Sequence, residues 1–446
     1  MKSVTPIALQ GVTDSAEAIP LKDKVPTMIK NLSYLLNTIV FIILTVCPSL
    51  AFMQKVTPSI GLKETYDSKV GYTENEDFVH SIIPGLIYDV STERSRAHFS
   101  GIADYSWYSK ESTYDGFDQA YLLDLFHNAT DRFSLGMKSN FTYDNNSKRS
   151  FEETGENIHA ADRIVYAVSP FCTDDIDELT EMRMSYRINE SNFQGYRHDN
   201  TYSDSTVHSF GASIERKLTE LVSMGLTASA DLRAYDKEDG KNHEDRYKLS
   251  LLTRYRFSER THVRFSVSGN QFYENEVNDE SDTSRSINVS AGVNHTVNER
   301  LVVDVFIGTG DQTTFDESGT LGLDVTWKKE TWELIAGYKK DITSGARGYD
   351  LKRDRVHARG EYLFNEKWRW GFQGVYVYSD QTDSDDNDGE KYTYYSMEPY
   401  LQYEIFKNSF IKAGYSYGVY MDRDKDENIT RNQIYMMYTM MFPYED

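Results

Sequence analysis

Two histidines stand next to serines, at His80-Ser81 and His208-Ser209. A serine nucleophile needs a base within hydrogen-bond reach. Both pairs lie in stretches of alternating polarity, where neighbours point to opposite faces of a strand, so neither pair can work together. In DRDKDENIT, Asp422, Asp424 and Asp426 have the spacing of a calcium loop, but the sixth-position glycine is missing and Gln433 stands where the closing glutamate belongs. DSDDNDGE is similarly partial. No G-x-S-x-G, H-E-x-x-H, C-x-x-C or phosphate-loop motif occurs. The chain is therefore expected to have no catalytic residue, cofactor or metal site, and to be no enzyme.

Charge is the other candidate chemistry. Arg183, Arg187, Arg246, Lys248, Arg254, Arg264, Arg355, Arg359, Arg369 and Lys412 alternate with apolar neighbours, as do Glu215, Asp231, Asp304, Asp324, Glu333 and Glu361. What they can do depends on the elements that carry them. In YKLSLLTRYRF, Tyr247, Leu249, Leu251, Thr253, Tyr255 and Phe257 share one face, and Lys248, Ser250, Leu252, Arg254 and Arg256 the other. THVRFSVSGN, LVVDVFIG, LGLDVTWKK and RVHARGEYLF alternate in the same way. A period of two marks half-buried strands, and no window sustains the helical period.

Short polar breaks, usually Thr, Ser or Asn followed by an acid, recur near residues 92, 130, 176, 220, 259, 298, 330, 366 and 407. Longer polar connections fall between them: YDNNSKRSFEETGEN, NESNFQGYRHDNTYSD, DKEDGKNHED, ENEVNDESDTS, SDQTDSDDNDGEK and DRDKDENIT. Alternating short and long connections divide the chain into about twenty strands, with a range of 18–20. The third turn, TDDIDE, has the weakest signal.

The chain has 446 residues, a net charge of −22, 33 tyrosines and 13% aromatic residues. Disordered acidic chains are poor in aromatics, so this one folds. Its acidity excludes a nucleic-acid partner, which needs a basic footprint. The single long apolar run, Leu35 to Ala51, follows Lys30 and ends in Ser49-Leu50-Ala51, the layout of a secretory signal. Residues 1–51 are expected to be an upstream extension plus signal peptide, with the start at Met28 and cleavage after Ala51. Residues 52–446 then form the mature domain, in which Cys172 is the one cysteine and no internal disulfide can form.

A soluble sandwich has no reason to sort its connections by length, whereas outer-membrane barrels combine an even strand number, short turns at one end and long loops at the other. Aromatics also gather at strand ends. Trp327, Trp332, Trp368, Trp370, Phe133, Phe257, Phe364 and Phe410 lie near short turns, and Tyr105, Trp107, Tyr376, Tyr378, Tyr417 and Tyr420 toward long loops. Two such girdles fit the two membrane interfaces. In lipid a sheet can span only as a closed ring with every backbone group paired. The expected fold is an all-β, up-and-down antiparallel transmembrane barrel in the outer membrane of a Gram-negative bacterium. Its apolar faces meet lipid and lipopolysaccharide, with weak cation bridging by the acidic loops as a secondary reading. Its polar faces make Arg183, Arg187, Arg246, Lys248, Arg254, Arg264, Arg355, Arg359, Glu361 and Arg369 candidate pore-lining residues. The last strand, RNQIYMMYTMMF, has Ile434, Met436, Tyr438, Met440 and Phe442 on one face, as barrels read by the barrel-assembly machinery do. The strands are expected to begin close to the cleavage site, leaving no N-terminal plug.

VTPSIGLKETYDSKVGYT, followed by SIIPGLIYDVSTERSRAHFSGIADYSWY, resembles the β-barrel porin type 2 group, which includes barrels encoded in exopolysaccharide and PEP-CTERM loci. The shared pattern, P-S-I-x-L-x-x-x-Y-D, then a P-G-L strand and a Tyr-rich strand, covers about Pro58 to Tyr108. Ser68-Lys69 stand where the group often has Asn. The resemblance implies glycan export with polysaccharide export components as partners, and supplies no active-site residue. Two readings follow: a porin-like conduit, or a non-conducting docking barrel of a surface-glycan assembly.

Overall fold

The computed structural model describes residues 53–70, 75–144, 162–194, 204–237, 240–275, 282–312, 318–344, 350–381, 391–423 and 427–445. The expected leader and cleavage site within residues 1–51, all of DSDDNDGE, and Asp424 and Asp426 lie outside the described residues.

Twenty long strands run in chain order. They are β1 (Met53–Asp67), β2 (Asp77–Ser91), β3 (Ser95–Tyr108), β4 (Gly116–Asn128), β5 (Phe133–Asp144), β6 (Asp162–Asp177) and β7 (Thr180–Gln194). Next come β8 (Asp204–Lys217), β9 (Val222–Lys237), β10 (Gly240–Ser258), β11 (Thr261–Asn275), β12 (Asp282–Asn298), β13 (Leu301–Gln312) and β14 (Ser318–Lys329). The remainder are β15 (Trp332–Ser344), β16 (Asp350–Leu363), β17 (Trp368–Gln381), β18 (Lys391–Phe406), β19 (Ser409–Asp422) and β20 (Glu427–Met441). Each pairs antiparallel with the next, and β20 pairs with β1 from Ser59↔Met441 to Asp67↔Gln433, which closes the ring. A two-residue strand, β21 (Tyr444–Glu445), continues the seam beside Val56 and Lys55. This is the up-and-down transmembrane barrel expected from the alternation.

The nine short breaks are the turns at one rim, and their composition has a reason. Thr92 Oγ1 accepts the N–H groups of Arg94 and Ser95 at 3.3 and 2.9 Å, and Thr130 Oγ1 those of Arg132 and Phe133 at 3.2 and 2.9 Å. Asn298 and Asn365 do the same with Oδ1, for Arg300 and Leu301 and for Lys367 and Trp368. A short side-chain oxygen at the first turn position satisfies the N–H groups that the ladder cannot. At 407–408 the chain turns through Asn408 with φ 67°, a conformation that asparagine tolerates better than most residues.

Several expected boundaries shift: NESNFQ, expected in a loop, lies in β7, and ENIT lies in β20. DKEDGKNHED is not a long loop: β9 runs to Lys237 and β10 starts at Gly240, because its polar residues continue the ladder as Asp236↔Lys241 and Tyr235↔Asn242. Most of TDDIDE belongs to β6, and the turn itself is 178–179. Asp177 Oδ1 accepts the Leu179 N–H at 2.8 Å there.

The outward face carries the apolar stock. Leu62, Leu226, Leu249, Leu251, Phe265, Ile287, Ile307, Ile434 and Met436 are exposed large hydrophobics on that face. A soluble protein rarely exposes such a belt; a barrel immersed in lipid requires one. The ring and this belt make the chain an outer-membrane protein. Trp327, Trp332, Trp368 and Trp370 share the outward face near the short-turn rim, where Trp327 packs on Trp332 at 3.9 Å between ring centroids and Trp368 on Tyr403 at 4.5 Å. Two expected girdle members do not belong there. Phe410 pairs with Glu404 and Tyr420 with Tyr394, which puts both on the inward face; alternation within a strand does not say which parity faces out when both faces carry aromatics.

Candidate functional site

The candidate site is the inward wall of the barrel. Its concavity shows in side chains that meet across an intervening strand. Arg254 of β10 reaches Glu215 of β8. Arg264 of β11 grips Asp304 of β13 with both guanidinium nitrogens, NH2 at 2.6 Å and NH1 at 3.1 Å. Tyr400 of β18 donates to Glu361 of β16 at 2.9 Å, and Tyr435 of β20 to Glu398 of β18 at 2.8 Å.

The last three bridges each pass over a glycine of the middle strand: Gly292, Gly371 and Gly414 respectively. A Cβ added to Gly292 would lie 2.6 Å from Arg264 Nε, and one on Gly414 2.5 Å from the Tyr435 ring. Phe171 lies over Gly136 and Phe306 over Gly322 in the same way. The missing side chain makes a saddle, and a long side chain from the neighbouring strand lies in it. Glycine within a strand interior commonly marks such close approach.

All ten candidate pore-lining residues fall on this inward face: Arg183 and Arg187 on β7, Arg246, Lys248 and Arg254 on β10, Arg264 on β11, Arg355, Arg359 and Glu361 on β16, and Arg369 on β17. Their surroundings differ. Arg264 and Arg254 are paired as above, Arg359 and Arg369 flank Glu361 at 3.5 and 3.4 Å, and Arg183 lies over the Phe171 ring at 4.7 Å. Lys412 sits over the Tyr400 ring at 3.8 Å. Among the described residues, the buried Arg355 Nε has no hydrogen-bond partner.

The wall is uneven. On β17 to β20 and on β1 and β2, inward side chains are packed away from water near the long-loop rim. Val377, Tyr392, Tyr394 and Tyr420 form one buried cluster with Val375 and Ile429 against it. Val70, just past β1, is fully buried. Asp77 Oδ2 accepts the N–H groups of Lys110 and Glu111, each at 2.8 Å, which ties the β3–β4 connection to β2. On β7 and β10, by contrast, the inward Arg183, Arg187, Arg246, Lys248, Arg254 and Arg256 are all exposed.

One recess interrupts this basic stretch. It has a volume of about 290 Å³ and is lined by two inward rows of four adjacent strands: Arg187, Ser209, Asp231 and Arg246, then Asn189, Val207, Arg233 and Glu244. Small Ser209 and Val207 form its floor. Arg233 is held by Tyr235 at 2.6 Å and Glu244 at 3.6 Å. Among the described residues no bond joins Arg187 to Asp231, which flank Ser209 on either side.

The expected separation of the His–Ser neighbours holds. His208 faces outward with the Tyr186 hydroxyl at 2.8 Å, while Ser209 faces the recess. Ser81 faces inward against Ser106 at 2.7 Å, and His80 faces outward. Sequence reasoning missed what His80 meets there, because its partners come from other strands and only the register aligns them.

No protein-family model and no curated protein matches the sequence. Solved structures do match. The ferric-catecholate import receptor Fiu from E. coli K12, in its open form, superposes with a TM-score of 0.53 at 9% identity, over 86% of this chain and 81% of that one. The ferric citrate transporter FecA in its unliganded form gives 0.51 at 7% identity, over 87% and 78%. At these identities the likeness is one of fold.

Proposed function

We propose that this barrel is a porin-like conduit of the outer membrane whose water path runs along the exposed basic wall of β7 and β10, and that it serves export of an exopolysaccharide as part of the β-barrel porin type 2 group. The observation that carries this reading is the asymmetry of the wall: near the long-loop rim inward side chains of β17 to β20, β1 and β2 are packed, while Arg187, Arg246 and Lys248 are exposed, as is Arg254 in its pair with Glu215. Basic walls of low-dielectric channels concentrate anions. The recess at Ser209 suits a saccharide unit whose carboxylate meets Arg187 and whose hydroxyls meet Asp231 and Asn189. Single-channel recording in planar bilayers under a salt gradient tests it: stable conductance steps with an anion-favouring reversal potential support the conduit, and silence from a demonstrably folded barrel excludes an open pore.

The second reading is a non-conducting docking barrel of a surface-glycan assembly. The packed cluster of Tyr392, Tyr394 and Tyr420 with the buried Asp67 and Val70 favours it, since these fill part of the bore at the long-loop rim.

A further inference from the structure

On the outward face, near the long-loop rim, three side chains from three separate segments form a continuous hydrogen-bonded chain. Glu64 of β1 stands directly opposite His80 of β2, and its Oε2 lies 2.5 Å from His80 Nδ1. His80 Nε2 lies 3.0 Å from Ser109 Oγ. Trp107 of β3, opposite His80 in the ladder, stacks on the imidazole at 5.4 Å between centroids with 28° between planes.

The order of contacts is the one that activates a serine: carboxylate on one ring nitrogen, hydroxyl on the other. A nucleophile within reach of a base that is itself oriented by a third group is the geometric signature of acyl transfer. Ser109 is also held in place. Its N–H donates to the Phe78 carbonyl at 3.0 Å, and the next two N–H groups are fixed by Asp77. The nucleophile is exposed, His80 is 30% exposed and Glu64 61%.

The position of the chain of contacts points to its substrate. One row deeper along the strands, Leu62, Ile82 and Tyr105 face outward and are all exposed. The triad therefore sits at the upper margin of the apolar belt, whose last outward residue here is the exposed Phe78, opposite Tyr66 and one row nearer the long loops. That is the depth at which a membrane lipid carries the ester that joins its acyl chain to its headgroup.

We propose that Glu64, His80 and Ser109 form a serine esterase site on the lipid-facing surface, acting on O-acyl esters of membrane lipids in the leaflet beside the long loops. The Ser109 oxygen attacks the ester carbonyl while His80 Nε2 takes its proton. The tetrahedral intermediate collapses, the C–O bond to the headgroup breaks, and the proton from His80 leaves with the alcohol. Water then attacks the acyl-Ser109 ester with His80 again as base, and the fatty acid and free Ser109 are released. Glu64 is a positioning residue: it holds the imidazole with Nε2 toward Ser109 and stabilises the imidazolium formed in each half-reaction. This activity is independent of whether the bore conducts.

The test uses the full folded barrel in mixed micelles, with S109A, H80N and E64Q variants whose heat-modifiable mobility confirms folding. A long-chain fluorophosphonate should label wild type on Ser109, identified by peptide mass, and should leave S109A unlabelled. Fatty-acid release should be measured from diacyl phospholipid vesicles and, separately, from purified lipopolysaccharide; release in either arm supports the site and identifies the source of the ester. S109A and H80N should lose about a thousandfold or more of the rate. E64Q should lower the rate and change its pH profile without altering micelle binding, which a merely structural contact would not do. No adduct on Ser109 in the folded wild type, or ester cleavage equal in wild type and S109A, would overturn the proposal.

Discussion

Arg431 of the last long strand donates its Nε to both carboxylate oxygens of Asp67 in the first, each at 3.0 Å, and its NH2 nitrogen to Oδ2, with Asp67 fully buried and Arg431 10% exposed. Gln433 adds a third donor at 3.0 Å and the Lys69 N–H a fourth at 3.1 Å. This bidentate pair stands on the inward side of the seam where the ring closes. Breaking a buried pair on one side leaves an uncompensated charge, which costs about 3–5 kcal/mol. Asp67→Asn and Arg431→Met should each lower the denaturant midpoint of the folded barrel on gel-shift assays. The double variant should be less destabilised than the sum of the two, because neither charge is then stranded. Additive losses would show that the pair does not act as a unit.

The saddles make a paired prediction. At Gly371 an added Cβ would meet the Tyr400 ring, whereas at Gly269 it would meet nothing within 4 Å. Gly371→Val should displace Tyr400 from Glu361 and cost roughly 1–3 kcal/mol from overpacking. Gly269→Ala should be neutral or gain about 0.5–1 kcal/mol by restricting the unfolded chain. Unfolding midpoints of the two variants, measured side by side, decide this; equal effects would remove the saddle argument.

Adjacent leucines of β10 test which side meets lipid. Leu251 faces outward with Phe265 and Val267 beside it, and Leu252 faces inward beside Ser266. Leu251→Arg should cost about 2–4 kcal/mol if it lies near the bilayer midplane. Leu252→Arg should cost much less, since its guanidinium enters the polar inward face beside Ser266. Folding yields into lipid vesicles compare them directly.

Conductance can test the basic wall residue by residue. Arg187→Gln, Arg246→Gln and Lys248→Gln together should move the reversal potential in a salt gradient toward cation preference. The effect should shrink between 0.1 M and 1 M salt, as the screening length falls from about 10 Å to about 3 Å. Arg264→Gln alone should change selectivity less, because Asp304 already neutralises that side chain. An unchanged reversal potential in the triple variant would place the ion path elsewhere.

The strand content, the turn positions and the inward parity of every candidate charge were legible in the sequence, because alternation and punctuation are local. Thr92, Thr130 and Asn298 announced their turns through short side chains that cap their own backbone. What stayed hidden depends on register and curvature. Phe410 and Tyr420 sit in strands with aromatics on both faces, so composition could not assign them. The cross-strand bridges, such as Tyr400 over Gly371 to Glu361, join residues of three strands. Glu64, His80 and Ser109 are spread over three segments, and His80 drew notice in the sequence only beside Ser81, the neighbour it cannot use.

The closure of the ring has one more consequence. Because β1 and β20 pair as any two neighbours do, the order in which strands leave the ribosome is not written into the finished wall. A circularly permuted chain, with Met53 joined through a short linker to the residues after Met441 and new termini opened at 259–260, preserves every rung of the ladder. Tolerance of such cuts is greatest at exposed turns. In that rearranged protein the Asp67–Arg431 pair would no longer guard a junction between ends. It would hold two sequential strands, and recovery of a heat-modifiable barrel would show that the position of the chain ends does not specify the fold.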